Sequence, residues 1–211
     1  VIELTKCRSR PFSRRFAVAA LICLPFAVAT SIPVQFAAAS EAPALKAGSF
    51  SPPRQAPDFS LHGSDGNELR LSNYKGKVVL LGFGFTSCPD VCPTTLATLA
   101  QTRRKLGAAA SDVQVVYITV DPERDVPARM KQYLASFDPT FVGGTDTAQH
   151  LEAVRKEYGI LAQKKTYGGD YTYAHSSYVY LIDRSGNLRA LMPYGHVPDD
   201  YVHDLQILLQ E

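Results

Sequence analysis

The sequence predicts an α/β fold: a central mixed β-sheet flanked by helices, led by an N-terminal β-hairpin. Three observations carry that expectation. Residues 78–85 (VVLLGFGF) and 113–120 (VQVVYITV) are continuous apolar runs, as strands buried on both faces require. Apolar residues at helical spacing follow the first run and recur later in the chain. The composition is globular, with 45% apolar and 20% charged residues over 211 positions. That length suffices for one domain with a full core plus an appendage.

The elements follow in order. Residues 1–39 read as an export signal: Lys6, Arg8, Arg10, Arg14 and Arg15 precede an apolar run, and Ala37, Ala38 and Ala39 offer an A-x-A cleavage site. An uncleaved membrane anchor is the competing expectation, since the weakly polar stretch is long enough for a bilayer core of about 30 Å. Pro25, Ser31, Pro33 and Gln35 weaken such a helix, and Cys23 follows the bulky Ile22 where lipidation sites want a small residue. Residues 40–56, rich in Pro, Ala and Ser, read as a linker, and 57–211 as the domain. Phe59, Leu61, Leu69 and Leu71 alternate with polar residues around the turn signal Asp65–Gly66, which predicts the hairpin.

After the first buried strand, Pro93 sits at a natural first helical position, and Leu96, Leu99, Ala100 and Leu106 mark one face. The second buried strand ends at Asp121–Pro122. Helices are expected over 127–137, and from an N-cap at Thr145 or Asp146 to Tyr158, ahead of Gly159. Strands over 176–182 and 188–191 flank a turn at 183–187, and a last helix opens at Pro198. Residues 161–173 (LAQKKTYGGDYTY) read as an irregular loop, with Tyr167, Tyr171 and Tyr173 as a docking surface. A thioredoxin-like architecture with right-handed crossovers satisfies this order.

Charge argues against nucleic acid as a partner. The formal charge is +2, but five basic residues and one acid lie in the leader, leaving 17 basic and 19 acidic side chains beyond it. A near-neutral domain has no basic groove to offer. Cysteine usage is more informative. Cys7 and Cys23 lie in the leader, so the domain holds only Cys88 and Cys92, in the stretch Cys88-Pro-Asp-Val-Cys92-Pro. In an oxidising compartment such a pair is a disulfide, a redox couple or a metal site.

The pair falls between a buried strand and a helix start, where α/β folds expose reactive groups. Cys92 is expected near the N-cap, so the helix end favours a thiolate there. Three intervening residues, instead of the two of the common dithiol motif, put the pair at i and i+4. On a helical turn their Cβ atoms would lie about 5–6 Å apart. That is long for a relaxed disulfide and suits two sulfurs converging on one soft ion. Of the histidines, His62, His150, His196 and His203 read as surface residues. His175 immediately precedes a strand, beside the cysteine-bearing helix, where thioredoxins carry a cis-proline; no proline occurs between Thr140 and Met192.

The segments GFGFTSCPDVCPTTL (82–96), VDPERDVPARMKQYLASFDPTFVGGT (120–145) and DYTYAHSSYVYLIDRSGNL (170–188) resemble the Sco/SenC family, from about Pro57 to the last helix. The resemblance implies an exported or membrane-tethered copper chaperone with Cys88, Cys92 and His175 as ligands of Cu(I) or Cu(II). It implies as partner the copper-site subunit of cytochrome c oxidase, or another copper chaperone. The location implied is the periplasm or the periplasmic face of the inner membrane, with membrane association through the N-terminus. It also implies a carrier rather than an enzyme, with thiol-disulfide reduction by Cys88 and Cys92 as the alternative and a copper or redox sensor as a third reading. Asp121 reads either as support for the site or as a cap for the following turn. Asp90 is expected to be exposed and to favour copper entry. Arg103 and Arg104 lie too far along the helix to serve a peroxidatic cysteine. Ser87 stands where many members carry a bulkier residue.

Overall fold

The computed structural model describes residues 44–211, so the leader of residues 1–39 lies outside the described residues. The first element corrects an expectation. Gly48–Gln55, expected as linker, form strand β1 at one edge of the sheet. Seven of its eight residues are exposed, which is why no apolar alternation marks it. Pairing is carried by the backbone and slips between Ser49 and Arg54, where Pro52 and Pro53 have no N–H to donate. Buried Ala47 and Ala56 pin its ends. Asp204, itself fully buried, accepts from the Lys46 and Ala47 amides at 2.7 and 2.9 Å.

The leading hairpin is present as β2 (Ser60–Gly63) and β3 (Glu68–Arg70), with Leu61 opposite Leu69. A 3₁₀ turn over Leu71–Tyr74 leads to β4 (Val78–Gly84), whose seven residues are all buried. Helix α1 (Val91–Leu106) and a 3₁₀ turn over Gly107–Asp112 return the chain to β5 (Val113–Thr119), parallel to β4. Then come α2 (Pro127–Ala135), β6 (Val142–Thr145) and α3 (Ala148–Glu157). Thr147 caps α3, its side chain accepting from the His150 amide, one or two residues beyond the expected caps.

Strand β6 escapes a sequence reading because two of its four residues are glycine. The glycines are required by packing: a Cβ on Gly143 would lie 2.8 Å from Met130 of α2, and one on Gly144 2.8 Å from Leu69.

The stretch expected as an irregular loop is also regular. Ala162–Tyr167 (β7) and Asp170–His175 (β8) pair in register as a separate antiparallel ribbon. Gly168 and Gly169, at φ 54° and 84°, make the two-residue turn with both central residues left-handed that such a hairpin prefers. The chain closes with β9 (Tyr178–Ile182), β10 (Asn187–Pro193) and α4 (Pro198–Gln210).

The eight-stranded sheet has the order β1-β10-β9-β4-β5-β6-β2-β3, parallel across β4, β5 and β6 and antiparallel elsewhere. With its four helices it is the thioredoxin-like mixed sheet that the pattern predicts. Topology then sets the site: β4 lies between β5 and β9, so the loops leaving β4 and β5 and the segment entering β9 meet at one sheet edge.

Candidate metal centre

Three ligand-bearing side chains meet where β4 ends. Cys88 sits in the loop after β4, Cys92 in the first turn of α1, and His175 at the last position of β8. Their donor atoms all lie within 4.8 Å of one another, and no other His, Cys, Asp or Glu group among the described residues converges in this way. His175 Nε2 is 3.4 Å from Cys92 Sγ. Cys92 is 1% exposed, whereas Cys88 and His175 are half-buried, so the site opens on their side. Both cysteines are free thiols.

The thiolate belongs to Cys88, which corrects the expectation that the helix end favours one on Cys92. The Cys92 amide, one of the free N–H groups of the helix N-terminus, points at Cys88 Sγ from 3.5 Å. The Cys88 thiol is pulled from its ordinary 9.0 to about 4, chiefly by the hydrogen bond from Cys92; partial burial opposes this, and the Asp90 and Cys92 amides add to it. Cys92 is pushed far above the usual thiol range by sharing that bond and by its own burial. The resting pair is therefore one thiolate and one thiol.

The imidazole is held in a defined orientation. Its Nδ1 lies 2.8 Å from the Ser176 carbonyl oxygen, which can only accept, so in the neutral ring Nδ1 carries the proton and Nε2 presents its lone pair to the sulfurs. Phe85, 1% exposed, forms the floor: His175 and Tyr173 both stand edge-on to it at 5.8 Å between centroids. Behind Cys92, the sulfur and the Tyr117 hydroxyl both occupy the space that a side chain at position 84 would need.

The loop after β5 fastens the ribbon carrying His175. Asp121, fully buried, accepts from Arg124 Nε at 2.5 Å and from the Tyr171 hydroxyl at 3.0 Å. Arg124 also donates to the Tyr171 carbonyl at 3.1 Å and lies 3.9 Å from that ring's centroid. The Asp121 carbonyl accepts the amides of Arg124 and Asp125 and so closes the turn through the backbone, while the carboxylate is taken up by Arg124 and Tyr171; of the two expected roles the side chain fills support and not cap. Tyr171 and Tyr173 are thus turned inward, and of the three expected docking tyrosines only Tyr167 is exposed. Asp90 is exposed, as expected. Arg103 is committed to Asp138 and the carbonyls of Ala110 and Val113. His62 and His150 are exposed; His196 and His203 are half-buried and paired with Asp200 and Asp204. None of those four joins the site. Phe85, Tyr117, Arg124 and Asp125 were not legible as site residues, because each acts through a neighbour distant in sequence.

The SCO1/SenC family matches residues 49–210 of this chain. The chain belongs to that family. The SCO2-like protein of Rickettsia conorii is 38% identical over 133 residues, a stretch covering 61% of this chain and 64% of that protein's length. Among solved structures, ScoI of Bradyrhizobium japonicum with copper bound is 37% identical, with a TM-score of 0.69 over 74% of this chain and 99% of that one. BsSco, described as having a disulfide switch and as a member of the Sco family of cytochrome c oxidase assembly proteins, is 27% identical. Its TM-score is 0.61, over 74% of this chain and 94% of that one. A SCO1/SenC member thus has a donor set of two sulfurs and one imidazole nitrogen at the edge of a thioredoxin-like sheet. Soft thiolates with an imidazole suit copper, zinc or iron–sulfur centres, and not hard cations.

Proposed function

We propose that this chain carries a single copper ion on Cys88, Cys92 and His175 and delivers it in assembling the copper site of cytochrome c oxidase. The observation that carries the reading is the convergence of those three donors from separate elements. Copper is the cargo. The two sulfurs and Nε2 offer a three-coordinate site suited to Cu(I), and an added oxygen would extend it for Cu(II). Cys88, already ionised and facing solvent, is the first group to meet an incoming ion; Cys92 completes the site after giving up its proton. Departure runs the other way, through the open side formed by Cys88 and His175, where a recipient's ligands can reach the ion. The receiving partner is the copper-bearing subunit of the oxidase or another copper chaperone. Export leaves the domain in the periplasm where the leader is cleaved and at the periplasmic face of the inner membrane where it is retained. Among the described residues no helix is long and apolar enough to cross a membrane.

Anaerobic titration of the reduced protein with Cu(I) tests the reading. One equivalent should bind tightly, and His175→Ala should weaken binding by at least about tenfold; unaltered affinity in that variant would remove His175 from the site and with it the carrier. A second reading, thiol-disulfide reduction, is favoured by the half-exposed thiolate beside a second thiol. It requires that His175→Ala keep reducing a disulfide substrate while Cys88→Ala loses the activity.

A further inference from the structure

The carbonyl end of β5 leads into a loop that ends in a second buried acid with no part in binding His175. Asp125 is fully buried, and three groups donate to its carboxylate. The Thr86 amide does so at 2.9 Å, the Thr86 hydroxyl at 2.5 Å and the Thr119 hydroxyl at 2.6 Å. Thr86 opens the loop that carries Cys88. From outside, Arg129 donates to the Thr86 hydroxyl oxygen at 2.7 Å and to the Ser87 hydroxyl oxygen at 2.9 Å, while its Nε stands 3.9 Å from Asp125. Ser87, the residue just before Cys88, thus ties the loop to α2. The approach to Cys88 is thus clamped from both sides, whereas the other sulfur is fixed independently by α1 and the core.

We infer that Asp125, working through Thr86 and Arg129, is a positioning residue that holds the Cys88 loop in its dithiol geometry and so sets how readily the pair oxidises. Joining the sulfurs requires a separation of about 2.05 Å. Cys92 is buried within a helix, so the movement falls on residues 86–90, which the clamp opposes. In the reaction, glutathione disulfide accepts two electrons from the two cysteines; the S–S bond of the protein forms, that of glutathione breaks, the single thiol proton of Cys92 passes to one departing glutathione, and the other leaves as a thiolate that takes its proton from water. The inference concerns the same thiol pair as the copper reading but is measured without copper, so either can fail while the other stands.

The test is an equilibrium titration of the full chain in glutathione buffers, with thermal unfolding of the reduced and oxidised forms in parallel. Asp125→Asn and Thr86→Val should each shift the equilibrium toward the disulfide by about tenfold, the scale of one charge-assisted hydrogen bond, or about 30 mV for this two-electron couple. The double variant should shift little further, because both changes remove one link. Arg129→Gln, on the exposed side, should shift it in the same direction by less and keeps the test available if Asp125→Asn does not fold. An unchanged equilibrium with equal loss of melting temperature in both redox forms would reduce Asp125 to a structural residue and overturn the inference. So would a shift toward the dithiol.

Discussion

At the scale of single residues, the site works by making two chemically identical thiols unequal. Cys88 accepts from Cys92 and from the helix end, while Cys92 is buried and donates, so one is ionised and the other is not. A group whose acid form is disfavoured in this way stays charged until the pH falls through its lowered value. Alkylation of Cys88 should therefore remain fast in mildly acidic buffer and decline with a midpoint near 4. Cys92→Ala, which removes the donor, should move that midpoint upward, as seen by the ultraviolet absorbance of the thiolate. The same inequality fixes the protons released by copper. Binding at neutral pH should release about one proton, from Cys92, measurable by calorimetry in buffers of different ionisation enthalpy, and affinity should fall as pH falls. Position 84 shows how little space the pair has: a Cβ there would lie 1.8 Å from the Tyr117 hydroxyl and 2.8 Å from Cys92 Sγ. Gly84→Ala should cost about 1–3 kcal/mol in denaturant unfolding and weaken copper binding along with it.

At the scale of elements, the ribbon β7–β8 is the part that brings His175 to the sulfurs. It is not part of the main sheet, so its placement depends on side chains: Tyr171 on Asp121, Arg124 over Tyr171, and Lys164 on Glu123. Tyr171→Phe removes one of these bonds and leaves a buried carboxylate oxygen without that donor, at a cost of about 1 kcal/mol. The expected result is weaker copper binding with the Cys88 midpoint in place, because the thiol loop is held elsewhere. Equal effects on both would mean that the ribbon and the thiol loop are one unit. The ribbon was readable in principle. Two glycines between alternating threonines and tyrosines are a hairpin signal, but the charged residues beside them, and the absence of a buried face, favour a loop reading.

For the whole molecule, the N-terminal boundary has the most consequence. A chain beginning at residue 56 lacks β1, leaves the edge of β10 unpaired and deprives buried Asp204 of both its amide donors. Relative to a chain beginning at residue 44 it should lose about 2 kcal/mol or more in urea unfolding and aggregate more readily through the open edge. Equal stability of the two would show that β1 contributes nothing to the fold.

The sequence by itself determined the strands that are buried on both faces and the helices after them, and its resemblance to the Sco/SenC family marked Cys88, Cys92 and His175 as the ligands now proposed. Apolar runs, caps and the Cys-x-x-x-Cys-Pro stretch are local patterns, and local patterns survive in one dimension. Tertiary structure alone decided which thiol is ionised, that β1 and β6 are strands, and that one loop, residues 121–125, secures the His175 ribbon through Asp121 and the Cys88 loop through Asp125. The two attachments of that loop depend on hydrogen bonds between segments about 40 to 50 residues apart, the two strands on pairing with β10, β5 and β2, and the ionised thiol on which sulfur is buried, so the neighbouring sequence of either partner does not encode them.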